Sequence, residues 1–456
     1  MTMLRCVVLQ KEITNHPKFS MSTLREESHQ PVRRTKLANG TIVLTEHMLG
    51  LRSATIGVWV RRGSRHETPA LNGICHFIEH AVFKGTRRRT ALDIAIESDR
   101  LGGHFDAYTT QEMTGFALKV VDAALPQAFD LLADMLLAPR FDADDLAREQ
   151  KVIIEEIKMV EDSPEELLGE LFNSAYFPEH PLGLPIEGTP ETVATFDRTT
   201  TANFHAHAYA PRNLVIAAAG NVQHEQLLEL CERAFVAAAT PTALDQQHSQ
   251  ETPLVPPRAA APLFVQHKPE LEQAHLILAT PWPSARDEDR YAASLLASVL
   301  GGGTSSRLWQ AIREERGLAY SVGAAASGYH DTGVFHIYAG TSPEQADEVL
   351  DLALAELRRV LREPIGAEEL QLVKDQAVAS ILLNLESTSA RAGTLARQEM
   401  THGRRITPDE IIRRLEAVTA ADLQRVARAR FQTESLAFGA LGDLDGFMVD
   451  RERLEI

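Results

Sequence analysis

The sequence predicts a duplicated α+β fold: two homologous halves, each a mostly antiparallel sheet packed with helices. Three observations point there. Short segments recur in the same order at an offset of roughly 220 residues. Strand candidates come as adjacent pairs with short connections, which favours antiparallel pairing. A stretch rich in Pro, Ala, Thr and Gln with no sustained apolar period, Ala237–Pro262, divides the chain like a linker.

In chain order, residues 1–30 hold only a short apolar patch at Cys6–Leu9 and read as a mobile tail. The patch lacks the long apolar core and small-residue cleavage site of a secretory signal, and Glu12, Glu26 and Glu27 count against a transit peptide. The first half, 31–236, has a helix ending near Val82, a strand from Ala107–Tyr108 and another opening at Thr114–Gly115. A helix from near Gln127 follows, and Ala143–Leu146 opens a long helix. After the linker, 237–262, the second half, 263–456, repeats the order. Its strands open at Ala319–Tyr320 and Thr332–Gly333, a helix starts near Gln345, and a long helix opens at Ala367–Leu370. Each half closes with a helix and an apolar strand, Asn213–Val222 and Ser435–Leu444. One matching dipeptide arises easily by chance; five in the same order do not.

Composition bounds the function classes. The chain of 456 residues is 44% hydrophobic and 24% charged, as soluble globular proteins are. A formal net charge of -17, from 63 acidic against 46 basic residues, argues against a general nucleic-acid partner, which needs basic surface. No apolar run approaches the ~20 residues that span a bilayer, so no membrane partner is expected. Three scattered cysteines offer neither a disulfide framework nor a cysteine zinc site. A cytoplasmic setting follows as the expectation, and the acidic balance points to a bacterial one.

The chemistry concentrates in LNGICHFIEHAVFKGT. His76, Glu79 and His80 stand at i, i+3 and i+4, so on a helix their side chains converge on one point. Two imidazoles at that spacing can share a zinc ion, with the carboxylate beside them. Most histidine pairs at this spacing are ordinary surface residues. Here Ile74, Phe77, Ile78 and Val82 make the rest of the helix apolar. The polar trio would then be partly buried, which is costly without a partner and favours a metal site. A third ligand is needed, and the helix DADDLAREQKVIIEEIKMVED offers Glu149, Glu155 and Glu156. Glu149 and Glu156 are two turns apart and share a face, while Glu155 points about 100° away from Glu156. Spacing alone does not choose among them. Cys75, beside a ligand but on another side of the helix, reads as a buried inert thiol.

The order H-x-x-E-H, followed about 75 residues on by EQKVIIEEIKM, resembles the pitrilysin-type (inverzincin) zinc metallopeptidases, and within them the branch of the mitochondrial-processing-peptidase β-subunit. The resemblance runs from about Thr35 to Leu444. It implies a LuxS/processing-peptidase-like metallohydrolase whose halves enclose a chamber. It implies one Zn2+ per chain held by His76, His80 and Glu156, with Glu79 as general base and Glu149 as a support behind the ligands. GGGTSSRLWQAIREERGLAYSV is similar to the family's C-terminal signature, which implies that Arg313 and Tyr320 reach across to contact the substrate carbonyl and oxyanion. Read without it, Arg313 is a solvated helix residue and Tyr320 a core strand residue. LGGHFDAYTT matches the strand that pairs with extended substrate, implying a role for Asp106, Ala107 and Tyr108. Asp106 stands where many relatives carry Asn, and its charge would favour basic substrate residues. The activity implied is zinc-dependent endopeptidase action on short or unfolded peptides or precursor segments. The competing expectations are a non-catalytic subunit of the same family, or one completed by a partner chain, either a second copy or a related subunit.

Overall fold

The computed structural model describes residues 32–236 and 255–456. The expected tail at 1–30 and most of the expected linker lie outside these residues; Val255–Pro262, at the linker's end, forms no regular element. The first half builds a six-stranded sheet from β1 (Arg33–Lys36), β2 (Ile42–His47), β3 (Ser53–Val60), β4 (His104–Thr109), β5 (Thr114–Val121) and β6 (Leu214–Gly220), in the order β1-β2-β6-β3-β5-β4. The second half builds β7 (Leu263–His267), β8 (Ala274–Pro281), β9 (Ala319–Gly328), β10 (Gly333–Thr341) and β11 (Ala437–Gly442), in the order β7-β11-β8-β10-β9. Apart from the extra edge strand β1, the two orders are the same. In each sheet one pair is parallel, β2 with β6 and β7 with β11, and the remaining pairs are antiparallel. The duplicated α+β fold is therefore present in the topology itself.

One expected correspondence does not hold. Ala107–Tyr108 lies near the end of β4, which begins at His104, whereas Ala319–Tyr320 begins β9. The dipeptides occupy opposite ends of equivalent strands, because polar His104 and Asp106 mask the start of β4 as a half-exposed edge.

Each sheet is covered on both faces. One face packs on helices of its own half. In the first half, Val43, Ile56, Val58, Phe116 and Leu118 meet the helices that carry Phe77, Leu132 and Ile153. The other face takes a helix from the opposite half. Helix Pro164–Tyr176 lays Leu168, Phe172 and Tyr176, one stripe at i, i+4 and i+8, against Ile277, Ala279, Ala437 and Leu441 of the second sheet. Reciprocally, helix Thr388–His402 lays Ala392, Leu395 and Ala396 against Ile42, Leu44, Trp59, Val215, Ala217 and Ala219 of the first. The sequence of the central strands fits this. β6, LVIAAAG, is buried along its whole length, as a strand covered on both faces must be. Its alanines let the alanines of the incoming helix approach closely. At Gly439 in β11 a Cβ would stand 2.6 Å from the Phe264 ring and 3.2 Å from that of Phe172, so a larger residue would displace both.

Ion pairs fasten helix Thr388–His402 to the first sheet. Arg391 donates from Nε to Glu46 of β2 at 2.7 Å and from Nη2 to the other carboxylate oxygen. Arg34 pairs bidentately with Glu399 at 2.9 Å.

Candidate metal centre

The motif helix runs Ile74–Ala81 and starts where the chain is forced to turn. Gly73 has φ 93°, and a Cβ there would stand 2.4 Å from the Glu187 carbonyl oxygen, so glycine is required both by conformation and by close approach. The free N–H groups of the first turn are taken by Glu67: its carboxylate accepts from Gly73 N and Cys75 N, each at 2.8 Å. Burial nevertheless raises the Glu67 pKa to about 7, against the lowering effect of these donors. Ile74, Phe77, Ile78 and Ala81 form the core-facing stripe, with Phe77 against Phe196 at a ring-centre distance of 5.3 Å. That stripe orients His76, Glu79 and His80 together toward the long helix Ala143–Asp162.

There the structure brings Glu156 to the two histidines. Its Oε2 lies 3.9 Å from His76 Nε2 and 3.7 Å from His80 Nε2. One ligand atom from each of the three residues falls within 4.8 Å of the others. Tetrahedral zinc with bonds of 2.0–2.1 Å separates its ligand atoms by about 3.3 Å, so small side-chain adjustments fit these residues to the ion. The chemistry of the set, two imidazole nitrogens and a carboxylate with no fourth protein ligand in the group, suits a zinc site with an open position. Glu155 instead pairs with Lys158 at 2.7 Å, both side chains largely exposed. Burial and the neighbouring His80 lower the His76 pKa to about 4, which keeps its imidazole in the neutral form that binds metals.

Glu149 stands behind His80. It accepts from His80 Nδ1 at 3.2 Å and pairs with Lys84 Nζ at 2.6 Å, with its own side chain buried. This contact turns His80 Nε2 toward the centre. Burial opposes charging of His80, but Glu149, Glu156 and Glu79 together raise its pKa. Glu79 is 8% exposed, and its Oε2 accepts from Thr109 Oγ1 at 2.6 Å. Burial raises its pKa, with Thr109 and His80 acting the other way.

Thr109 ends β4, the strand carrying Asp106, Ala107 and Tyr108. β4 is the sheet edge beside the motif helix and pairs only with β5. The Tyr108 hydroxyl accepts from Trp59 Nε1 at 2.9 Å, which fixes the strand. Cys75 is buried, and burial pushes its thiol pKa well up, as expected of an inert residue. Arg313 and Tyr320 form a separate group in the second half. The guanidinium lies 4.1 Å over the Trp309 ring and 4.6 Å over the Tyr320 ring, and Nη1 donates to the Tyr320 carbonyl at 2.5 Å. Tyr320 is 79% exposed rather than a core residue.

Glu67, Thr109 and Lys84 were not singled out in the sequence. Lys84 was within reach, one turn beyond His80; Thr109 and Glu67 meet the motif helix only through the tertiary fold.

Comparison with known proteins places the chain in a family. Residues 42–190 match the family model described as "Insulinase (Peptidase family M16)", and 195–377 match "Peptidase M16 inactive domain". An uncharacterized zinc protease of Streptomyces coelicolor is 39% identical over 402 residues, covering 87% of this chain and 86% of that protein. The Bacillus subtilis protein YmxG, also described as an uncharacterized zinc protease, is 37% identical over 412 residues, 90% of this chain and 98% of its own. Among solved structures, a protease from Helicobacter pylori superposes with a TM-score of 0.84 at 23% identity, covering 91% of this chain and all (100%) of that one, a likeness of fold. No described helix is long and apolar enough to cross a membrane. With two family models spanning most of its length and zinc proteases as full-length relatives, the chain belongs to the M16 (insulinase) family of peptidases.

Proposed function

We propose that this chain is a zinc-dependent endopeptidase that cleaves short or unfolded peptides or precursor segments in a bacterial cytoplasm. The observation carrying this reading is the convergence of His76, His80 and Glu156 within 4.8 Å, with Glu79 on the same helix face. Zinc bound there, one ion per chain, would supply the Lewis acidity that activates water and polarises the scissile carbonyl.

The protein's own groups do the rest. Glu79 takes the proton of the attacking water and returns it to the leaving amine. Thr109 anchors one of its carboxylate oxygens, and burial, by raising its pKa, makes it a stronger base. Glu149 holds His80 in one orientation. The outer edge of β4 receives an extended substrate through main-chain bonds at Asp106, Ala107 and Tyr108, and the Asp106 carboxylate favours basic side chains. Tyr320 and Arg313 contact the substrate carbonyl and stabilise its oxyanion, so the two halves close a chamber around the peptide.

A second reading has an observation of its own. Tyr320 is 79% exposed and Arg313 is stacked on Trp309, which favours a partner-dependent member of the family whose site a second copy or a related subunit completes.

The test is zinc content measured beside cleavage of a quenched fluorescent peptide library, with and without chelator. About one zinc per chain and chelator-sensitive cleavage are expected. Zinc without cleavage would favour the partner-dependent reading, and neither would remove the enzyme reading. Glu79→Gln should keep its zinc and lose turnover by about 100-fold or more; undiminished cleavage would take Glu79 out of the mechanism.

A further inference from the structure

Arg65 has no exposed side-chain surface and stands between the two halves. Its guanidinium grips Asp331 bidentately, Nη1 to Oδ1 and Nη2 to Oδ2, both at 3.0 Å, and Nη1 also donates to Glu112. Glu112 in turn accepts from the His330 backbone N–H at 3.0 and 3.1 Å. Glu112 belongs to the β4–β5 turn of the first half, while His330 and Asp331 form the β9–β10 turn of the second. One enclosed cation thus joins the tips of two equivalent hairpins. A bidentate arginine–carboxylate pair fixes direction as well as distance, and removing one member of such a pair leaves charge uncompensated.

The triad is wired to the metal centre on one side and to Tyr320 on the other. Ser64 N and Arg65 N donate to the carbonyls of Thr110 and Gln111 at 3.1 and 2.9 Å. A Cβ at Gly63 would stand 2.1 Å from the Thr110 oxygen, so this loop lies directly against the β4–β5 turn. Thr109, which holds Glu79, precedes that turn, and Glu67, which caps the motif helix, follows Arg65 by two residues. On the other side, β9 runs from the turn at Asp331 to Tyr320 at its far end. β9 pairs with β10 along its whole length, so it moves with the second sheet. At ~3.3 Å per residue, Tyr320 to Gly328 spans about 26 Å, and tilting that sheet by about 10° about the triad carries Tyr320 through roughly 5 Å.

We propose that the Arg65–Glu112–Asp331 triad is the fulcrum that sets where the Tyr320-bearing strand stands relative to the metal centre. These three are then positioning residues for peptide hydrolysis, acting through Tyr320. The inference rests on the reading of Tyr320 as a substrate-contacting group.

The experiment is a double-mutant cycle between Asp331→Asn and Tyr320→Phe in the full zinc-loaded chain. It reads kcat and KM on a peptide the wild type cleaves, with zinc content and melting checked for each variant. Asp331→Asn is expected to lower kcat about tenfold or more with zinc retained, since misplacing a contact by ångströms has effects of that order or larger. Tyr320→Phe is expected to lower kcat strongly in the wild type and by less than about threefold in Asp331→Asn, because the strand is already misplaced. If Asp331→Asn does not melt cooperatively, Glu112→Gln replaces it in the same cycle, since it takes one carboxylate charge from Arg65 and loosens the join between the hairpin tips while the bidentate pair holds the fold. Losses that multiply independently, or a charge-removed variant with wild-type kcat, would overturn the fulcrum while leaving Tyr320 in place. A Tyr320→Phe change without effect in the wild type would overturn the reading of Tyr320 and the fulcrum with it.

Discussion

Glu67 shows how much of the centre depends on residues that touch neither metal nor substrate. It is 4% exposed and satisfies the amides that begin the motif helix, yet burial lifts its pKa to about 7 from an ordinary 4.5. An acid whose pKa is raised by folding stabilises the fold fully below its unfolded value, and that contribution is lost as pH rises through the folded value. Glu67 should therefore contribute a component of stability that is lost between about pH 4.5 and 7, and Glu67→Gln should lack that component. Thermal melts of both proteins across the window check it; identical pH profiles would refute it. At this scale the sequence was legible wherever contacts are local. His76, Glu79 and His80 share a helix face by spacing alone, whereas Glu67 and Thr109 reach them only through the loop after β3 and the edge of the sheet. That Glu156 meets both histidines likewise depends on how two helices face each other, which no spacing within one helix contains.

At the scale of elements, the exchanged helices carry the largest energetic consequence. Phe172 is 3% exposed, on a first-half helix, and packs against the second sheet as well as stacking on Tyr176. Phe172→Ala should lower unfolding stability by about 3–5 kcal/mol, since a buried ring is lost and Gly439 leaves no side chain to fill the space. Urea denaturation measures it, and a loss below about 1 kcal/mol would mean that the helix is not held by this face. Sequence pattern identified the apolar strands β6 and β11 but singled out neither exchanged helix. It could not say which sheet a given helix covers, because an amphipathic stripe is the same whether its partner strand lies in its own half or in the other. Strand β4 began three residues earlier than read because an exposed edge strand tolerates the polar residues that blur an alternating pattern.

For the whole molecule, the duplication read from five recurring segments reappears as two sheets of one strand order. The order itself was not legible, since the parallel pairs β2–β6 and β7–β11 bring together the ends of each half. The halves are joined by two exchanged helices, the Glu46–Arg391 contact and the Arg65 triad, so neither half is a self-sufficient unit. Residues 32–236 expressed alone should be insoluble, because Trp59, Val215, Ala217 and Leu44 would lose their cover. Co-expressed with 255–456, the same segment should fold and co-purify as a stoichiometric pair. A soluble, cooperatively melting first half on its own would contradict this.

The exchange also dictates an order of events during synthesis. Helix Pro164–Tyr176 leaves the ribosome long before β11, the last strand of the sheet it covers, and the first sheet waits for Thr388–His402. At ~10 residues per second this gap lasts roughly half a minute. Throughout it the nascent first half carries an uncovered apolar sheet face and an unpaired apolar helix on one polypeptide. Those two surfaces are each complementary to an element not yet made, so the growing chain is the form of this protein most in need of a chaperone.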